Sequence, residues 1–321
     1  MKRLRTAMLW ITAALIVVFF GLSWLASTRL ICRSRRPLQD YHRDILSNTA
    51  AHGLTIRSFT VGRTPCLLCE PTATPSAKGT KLRTELQAMG LTVPPAGEMR
   101  ATLVLLHAHG GRKEDHLPVA ERFCAVGFRC VLPDLPGHGE HPATFATFGH
   151  TEVTLPGEVL RAAAEQFQFK AAPAGLFGVS QGGAISVQAA ARSEEHWFAV
   201  AEVAGFAALD DVIDGQARRL FGPLHQPAHW LVEQLVQTRA GFAPHSIRPV
   251  DAAAKITIPI LIAHGDADSF VTPDHAQRLF DAAPASLRQF MNIPGADHGN
   301  VLITDAPVYA TVTRFYLNAL K

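Results

Sequence analysis

Charge is scarce in this 321-residue chain: 18% of its residues are Asp, Glu, Lys or Arg, against 48% that are hydrophobic. That balance excludes a disordered segment and a protein that wraps nucleic acid. The formal net charge of +3 is close to neutral and calls for no polyanionic partner, so no nucleic acid is expected. No period of about 20–50 residues recurs, which argues against solenoids and propellers. Cysteine is sparse and odd in number, so five thiols cannot form a full disulfide framework. Cys66 and Cys69 form a lone C-x-x-C. It lacks the ligands of a structural zinc site and has no thioredoxin-like context, and two small residues in an early strand and turn are the plainer reading. Cys124 and Cys130 fit an apolar helix face and a buried strand. Cys32 is a spectator or, just past an apolar segment, a point of acylation.

What is plentiful is apolar sequence at the N-terminus. Thr6 to Thr28 is a run of 23 residues without a charge. As a helix it would span ~34 Å, enough to cross a hydrocarbon core. Lys2, Arg3 and Arg5 precede it, Arg29, Arg33, Arg35 and Arg36 follow it, and Trp10 and Trp24 sit near its ends. The rival is a cleaved signal peptide, whose apolar region would run to about 7–15 residues before a small-x-small site. The longer run, with no Ala-x-Ala after it, reads as a single-pass anchor over residues 1–28, followed by a juxtamembrane connector over 29–52. Basic residues on both flanks leave the side of the membrane open.

Beyond residue 53 the pattern changes. LTIRSFTV and PCLLCEP are strand-like, and residues 73–99 read as a surface excursion with a short helical piece. Then apolar runs alternate with helical spacing: ATLVLLHA, helix 115–126, FRCVLPD, helix 152–169, AGLFGV, QGGAISVQAAAR, WFAVAEVA, IPILIAH, DHAQRLFDAA, LRQFMNI and a final helix at 305–320. Strands alternating with helices predict an α/β fold with a doubly wound, mostly parallel sheet. Residues 205–250 interrupt the alternation with two helical stretches, read as a small cap within a domain covering 53–321. Phe206, Phe221, Trp230 and Phe242 of the cap either line a pocket or pack onto the core.

The chemistry-bearing residues fall at strand ends, where open α/β sheets place their sites. Gly178-Val179-Ser180-Gln181-Gly182 is a G-x-S-x-G between a strand and a helix. In that context it reads as a nucleophile elbow: a strained tight turn exposes the Ser180 hydroxyl above a helix N-terminus, and larger side chains at 178 and 182 would collide with backbone. A serine hydroxyl needs a base, and the base an orienting acid. Asp266, Asp268 and His298 follow later strands, and Asp210 or Asp211 is a further place for the acid.

His107-Ala108-His109-Gly110-Gly111, DLPGHG at 134–139, GVSQG at 178–182, HGDADSFVTP at 264–273 and ADHG at 296–299 together resemble the α/β-hydrolase superfamily, in its serine-hydrolase and esterase branch. The resemblance covers residues 100–321 and implies an α/β-hydrolase fold. It maps the nucleophile to Ser180, the base to His298, and the acid to Asp268, with Asp266 as competitor. It also puts the oxyanion-hole N–H donors at Gln181 and His109. Ala108 stands where glycine is usual, and the His109 side chain either lines the pocket or points outward.

Other polar clusters have plainer readings. His138 and His141, on a Gly-rich loop, do not form an H-E-x-x-H, so no metal is expected there. Arg112 to His116 reads as a solvated charge cluster starting a helix. Glu202 sits oddly within an apolar strand and needs a partner.

The expected activity is hydrolysis of a carboxylic ester or related acyl bond through an acyl-enzyme, on a small-molecule acyl substrate and without a cofactor. Thioesterase, acyltransferase and serine peptidase are alternatives on the same triad. A nucleophilic serine argues against the dehalogenase and epoxide-hydrolase branches. A binding module that has lost catalysis, or a membrane-tethered scaffold, would be the non-enzymatic readings.

Overall fold

The computed structural model describes residues 2–32, 35–192, 196–304 and 306–321; Arg33 of the expected basic flank and position 305 of the expected last helix lie outside them. The described residues form eight strands: β1 (Leu54–Val61), β2 (Thr64–Pro71), β3 (Ala101–Leu106), β4 (Phe128–Pro133), β5 (Ala174–Val179), β6 (Trp197–Val203), β7 (Ile260–Gly265) and β8 (Arg288–Ile293). They make one sheet in the order β1-β2-β4-β3-β5-β6-β7-β8. β1 and β2 are an antiparallel hairpin and β2 meets β4 antiparallel; all other neighbours are parallel. Every residue of β3, β4, β5 and β7 is buried, as both faces of a parallel sheet require.

The helices are α1 (Lys2–Ile31), α2 (Asp40–Ser47), α3 (Ala77–Ala88), α4 (Leu117–Cys124), α5 (Leu155–Gln166), α6 (Gln181–Ala190), α7 (Leu209–Phe221), α8 (His225–Ala240), α9 (Pro249–Ala253), α10 (Pro273–Ala282) and α11 (Val308–Ala319). Leu82, Leu86, Phe123 and Tyr316 of α3, α4 and α11 pack on one face of the sheet. Val159, Ile185 and Leu279 of α5, α6 and α10 pack on the other. The 73–99 segment is therefore not only a surface excursion: α3 buries Leu82 and Leu86 completely or nearly so. Cys66 and Cys69 both lie within β2, and three residues apart on a strand they face opposite layers. Burial raises both thiols above their usual range. Cys124 and Cys130 are buried in the same layer as Cys69.

The Arg112–His116 cluster is a correction to the sequence reading. It forms a buried turn at Lys113–His116, not a solvated face, and α4 starts only at Leu117. Asp134, at the start of the DLPGHG loop, is completely buried and requires a cation beside it. Lys113 supplies it: Nζ lies 2.9 Å from Asp134 Oδ2, 3.0 Å from Glu114 Oε1 and 2.5 Å from Glu140 Oε2. Asp134 also accepts the backbone N–H groups of Lys113 and Glu140 at 2.7 and 2.9 Å. The sequence shows alternating charges but not the carboxylate from another loop that draws them inward. The result fastens the loop after β4 to the loop after β3, at the carboxyl edge of the sheet.

Candidate active site

The chain leaves β3 toward β4 on one side and continues to β5 on the other. The ends of β3 and β5 therefore flank the switch point where an open sheet offers a crevice. Ser180 occupies the turn from β5 into α6 with φ 53° and ψ −116°, a strained conformation for a residue with a side chain. The glycines on either side make the turn feasible. A side-chain carbon at Gly178 would collide with the Gly182 carbonyl, and one at Gly182 with the Leu106 carbonyl at the end of β3. The Ser180 N–H donates to Val203 O at 2.8 Å, tying the elbow to the end of β6.

Ser180 Oγ lies 2.9 Å from His298 Nε2, across 118 residues of sequence. His298 Nδ1 lies 2.6 Å from Asp268 Oδ2. The other oxygen, Asp268 Oδ1, accepts the N–H groups of Phe270 and Val271, each at 2.9 Å. Burial by itself would raise the Asp268 pKa. Hydrogen bonds with His264 and His298 outweigh it and hold the carboxyl well below the usual range. His264, buried on β7, places Nε2 2.9 Å from Val271 O and 3.4 Å from Asp268 Oδ2.

The competing acids sit elsewhere. Asp266 accepts from Gly295 N at 2.7 Å and Asn292 Nδ2 at 3.2 Å, bracing the turn that carries His298. Asp211 pairs with Arg278 at 2.6 Å, and Asp210 lies beside it at the start of α7, whereas the His298 Nδ1 partner is Asp268.

The oxyanion candidates stand on either side of the elbow. Gln181 is the first residue of α6, where backbone N–H groups are unpaired and the helix dipole favours negative charge. His109 lies on the loop after β3, with its side chain turned inward: Nδ1 is 2.8 Å from Gln181 Oε1 and Nε2 is 3.2 Å from Arg29 O. The end of α1 thus reaches the site, which no sequence pattern signals because the group involved is a main-chain carbonyl. Arg36 Nε donates to Gly110 O at 3.0 Å, and Arg112 Nη1 donates to Arg36 O at 3.0 Å. The connector is fastened to the loop after β3 rather than free. His138 lies 3.3 Å from His109 and 2.9 Å from Pro136 O, while His141 Nδ1 accepts from Ala143 N at 3.1 Å.

Ser180 is 6% exposed, and Phe206, Val271 and Ile31 form one apolar cluster with Ala184 of α6. The Phe270 ring stands 5.1 Å from His298. A groove of about 570 Å³ between α3, α4 and α11 includes none of Ser180, His298, Asp268, Gln181 and His109 and lies apart from this chemistry.

With that geometry in hand, residues 120–321 match the prolyl oligopeptidase family. The chain belongs to that family. It is a serine hydrolase of the α/β-hydrolase superfamily. Solved structures share the fold at low identity. An esterase from Pyrococcus furiosus superposes with a TM-score of 0.63 at 14% identity, covering 91% of this chain and 99% of that one. A bacterial membrane phospholipase A gives a TM-score of 0.55 at 17% identity, covering 99% of both chains. A puromycin-hydrolysing peptidase from Mycobacterium tuberculosis gives 0.59 at 17% identity, with 84% of this chain covering 40% of that one. No curated protein matches the sequence. The family model begins within α4, so it takes in the segments carrying Ser180, Asp268 and His298 but not the loop carrying His109.

Glu202 has a place, though not one the sequence indicates. It is fully buried on β6, directly behind the elbow: Oε2 accepts the Gly205 N–H at 2.7 Å, and a side-chain carbon at Gly183 would lie 3.0 Å from that oxygen. Burial pushes its pKa up to about 7, against the opposing influence of His264 and the Gly205 N–H.

Two predictions follow from this geometry. Asp268→Asn should cost on the order of 10,000-fold in kcat, because the wrong imidazole tautomer is then favoured. Asp266→Asn should cost far less; equal losses in steady-state assays would put the acid elsewhere. For Glu202, the folded protein keeps a proton that the unfolded chain releases near 4.5. Stability is therefore lost as pH rises from about 4.5 to about 7, by up to about 3 kcal/mol. Glu202→Gln should remove that slope, so chemical denaturation at pH 5 and pH 7.5 should show the variant gaining on wild type. Parallel stability profiles would contradict the buried neutral acid.

Proposed function

We propose that this serine hydrolase cleaves a carboxylic ester, or a related acyl bond, through an acyl-enzyme on Ser180. His298 takes the Ser180 proton as Oγ attacks the carbonyl, then gives it to the leaving alcohol. Asp268, ionised, holds the imidazole tautomer and stabilises the imidazolium that forms. The oxyanion is assigned to the N–H groups of Gln181 and His109. Water then attacks the acyl-enzyme with His298 again as base. The observation that carries this reading is the continuous bonding of Ser180 Oγ to His298 Nε2 at 2.9 Å and of His298 Nδ1 to Asp268 at 2.6 Å.

A peptidase reading is favoured by one finding, the prolyl oligopeptidase match. The same triad serves both reactions, and the esterase and the membrane phospholipase A of the same fold support the ester.

We read residues 1–28 as a single-pass anchor, 29–52 as the juxtamembrane connector, and 53–321 as the hydrolase domain with its cap at 205–250. Support for the anchor comes from α1, a helix of 30 residues whose apolar 18-residue window has a mean hydropathy of 2.2 and which is almost entirely exposed over its first half. A signal sequence passes the same test of length and composition. N-terminal sequencing of the native protein distinguishes them: an intact start supports the anchor, and a terminus just after Ala26 refutes it.

Ser180→Ala should abolish fluorophosphonate labelling and lower kcat by about a million-fold, with the fold intact. Wild type should turn over p-nitrophenyl esters faster than a proline-containing peptide amide. Full labelling of the Ala variant would remove Ser180 from the mechanism, and a preference for the amide would favour the peptidase.

A further inference from the structure

We propose that the corner joining α7 to α8 is immersed in one leaflet of the bilayer, and that the substrate is a lipid acyl ester entering the site from that leaflet beneath the cap. The proposal rests on the anchor and ester-hydrolase reading above.

The argument is one of length. The uncharged run begins at Thr6, and α1 first meets the body at Phe19, whose ring packs edge-on against Phe221 at 5.5 Å. From there Ser23, Ser27 and Ile31 continue one buried stripe at four-residue spacing. The part of the uncharged run free of protein is therefore residues 6–18, which as a helix cover only ~20 Å. A hydrocarbon core is about 30 Å thick. The missing thickness can come only from the stretch beside the cap, so the apolar slab must reach past Phe19.

Where it stops is also marked. The Arg239 guanidinium lies 4.2 Å over the Trp24 ring, and Arg239 Nη1 donates to Ser27 Oγ and Thr28 Oγ1 at 2.8 Å each. A cation held against an indole belongs at the interface, not in hydrocarbon. Residues 6–24 of α1 then span ~28 Å, which closes the gap.

The surface between those two levels is built for such a place. Beside Phe221 on that corner, Leu220 is 67% exposed and Leu224 is 56% exposed. Each side chain is normal singly, but together they flank Phe221, which packs on Phe19 of α1. Inward from them, Ile31, Val232, Phe206 and Val271 form one apolar cluster with Ala184 of the elbow helix. An acyl chain moving from the leaflet toward Ser180 would follow that seam. Arg29, whose carbonyl touches His109, lies five residues past Trp24, or ~8 Å along the helix. A lipid ester would have to rise only about that far from its resting depth.

The test uses the full chain reconstituted in phosphatidylcholine vesicles, with soluble p-nitrophenyl butyrate and vesicle-borne 4-methylumbelliferyl oleate as substrates. Leu220→Asp with Leu224→Asp should lower oleate hydrolysis at least tenfold and leave butyrate hydrolysis within twofold. No loss in either assay, or equal loss in both, overturns the proposal. So does unchanged oleate hydrolysis with loss of a dimer in detergent, which would assign the corner to a second copy of the chain. Depth is read separately in a Trp10→Phe, Trp24→Phe background. There, adding Leu224→Trp should add emission that acyl-brominated phosphatidylcholine quenches, and absence of that quenching overturns the immersion. Wild type that cleaves neither ester would instead refute the ester-hydrolase reading, with the quenching still informative.

Discussion

The site depends on one carboxylate that stays ionised out of water. Asp268 is 2% exposed, and desolvation alone would favour its neutral form. Two backbone N–H groups, from Phe270 and Val271, hold one oxygen, and two imidazoles address the other. That pattern of donors stabilises the charged form. Everything else in the constellation is arranged around it. The turn after β7 supplies the N–H groups, Asp266 braces the neighbouring turn that carries His298, and the elbow after β5 brings Ser180 to the free imidazole nitrogen. The partners come from separate loops, yet all lie at one edge of the sheet because the parallel strands all end there.

The edge is held shut by buried charge as well as by apolar packing. Lys113, Asp134 and Glu140 join the loops after β3 and β4. Breaking such a group by removing one member leaves an unpaired ion in a dry place, which is costly. The same loop after β3 also meets α1 and the segment that follows it. The main-chain carbonyl of Arg29 in α1 meets His109, and Arg36 of the connector meets Gly110. The apolar helix and the loop with the expected oxyanion donor are therefore in direct contact.

Much of this was legible in the sequence, and for identifiable reasons. The apolar runs at 101–106, 128–133, 174–179 and 260–265 read as buried parallel strands because both their faces are covered. Ser180 stood out because its glycine-rich turn follows such a strand, and His298 because its glycine-rich turn follows the edge strand β8. The choice among acids was not a matter of pattern: Asp266 and Asp268 are two residues apart on one loop and point to different partners. The Arg112–His116 segment misled because alternating charges look solvated until Asp134 arrives from another loop. Glu202 was visible as an anomaly, but its position behind the elbow depends on how β6 is paired with β5. The packing of α1 on the cap left no signal beyond the four-residue spacing of Phe19, Ser23, Ser27 and Ile31, two of them small polar residues inside an apolar run.

The central claim is that the acyl group passes through the Ser180 oxygen. The most direct measurement is the intact and peptide mass of the enzyme quenched within the first turnover of a p-nitrophenyl ester. The account predicts a burst of p-nitrophenol equal to the enzyme present and an acyl adduct on the peptide containing Ser180. An adduct on another residue, or a full burst with no adduct at all, would contradict it.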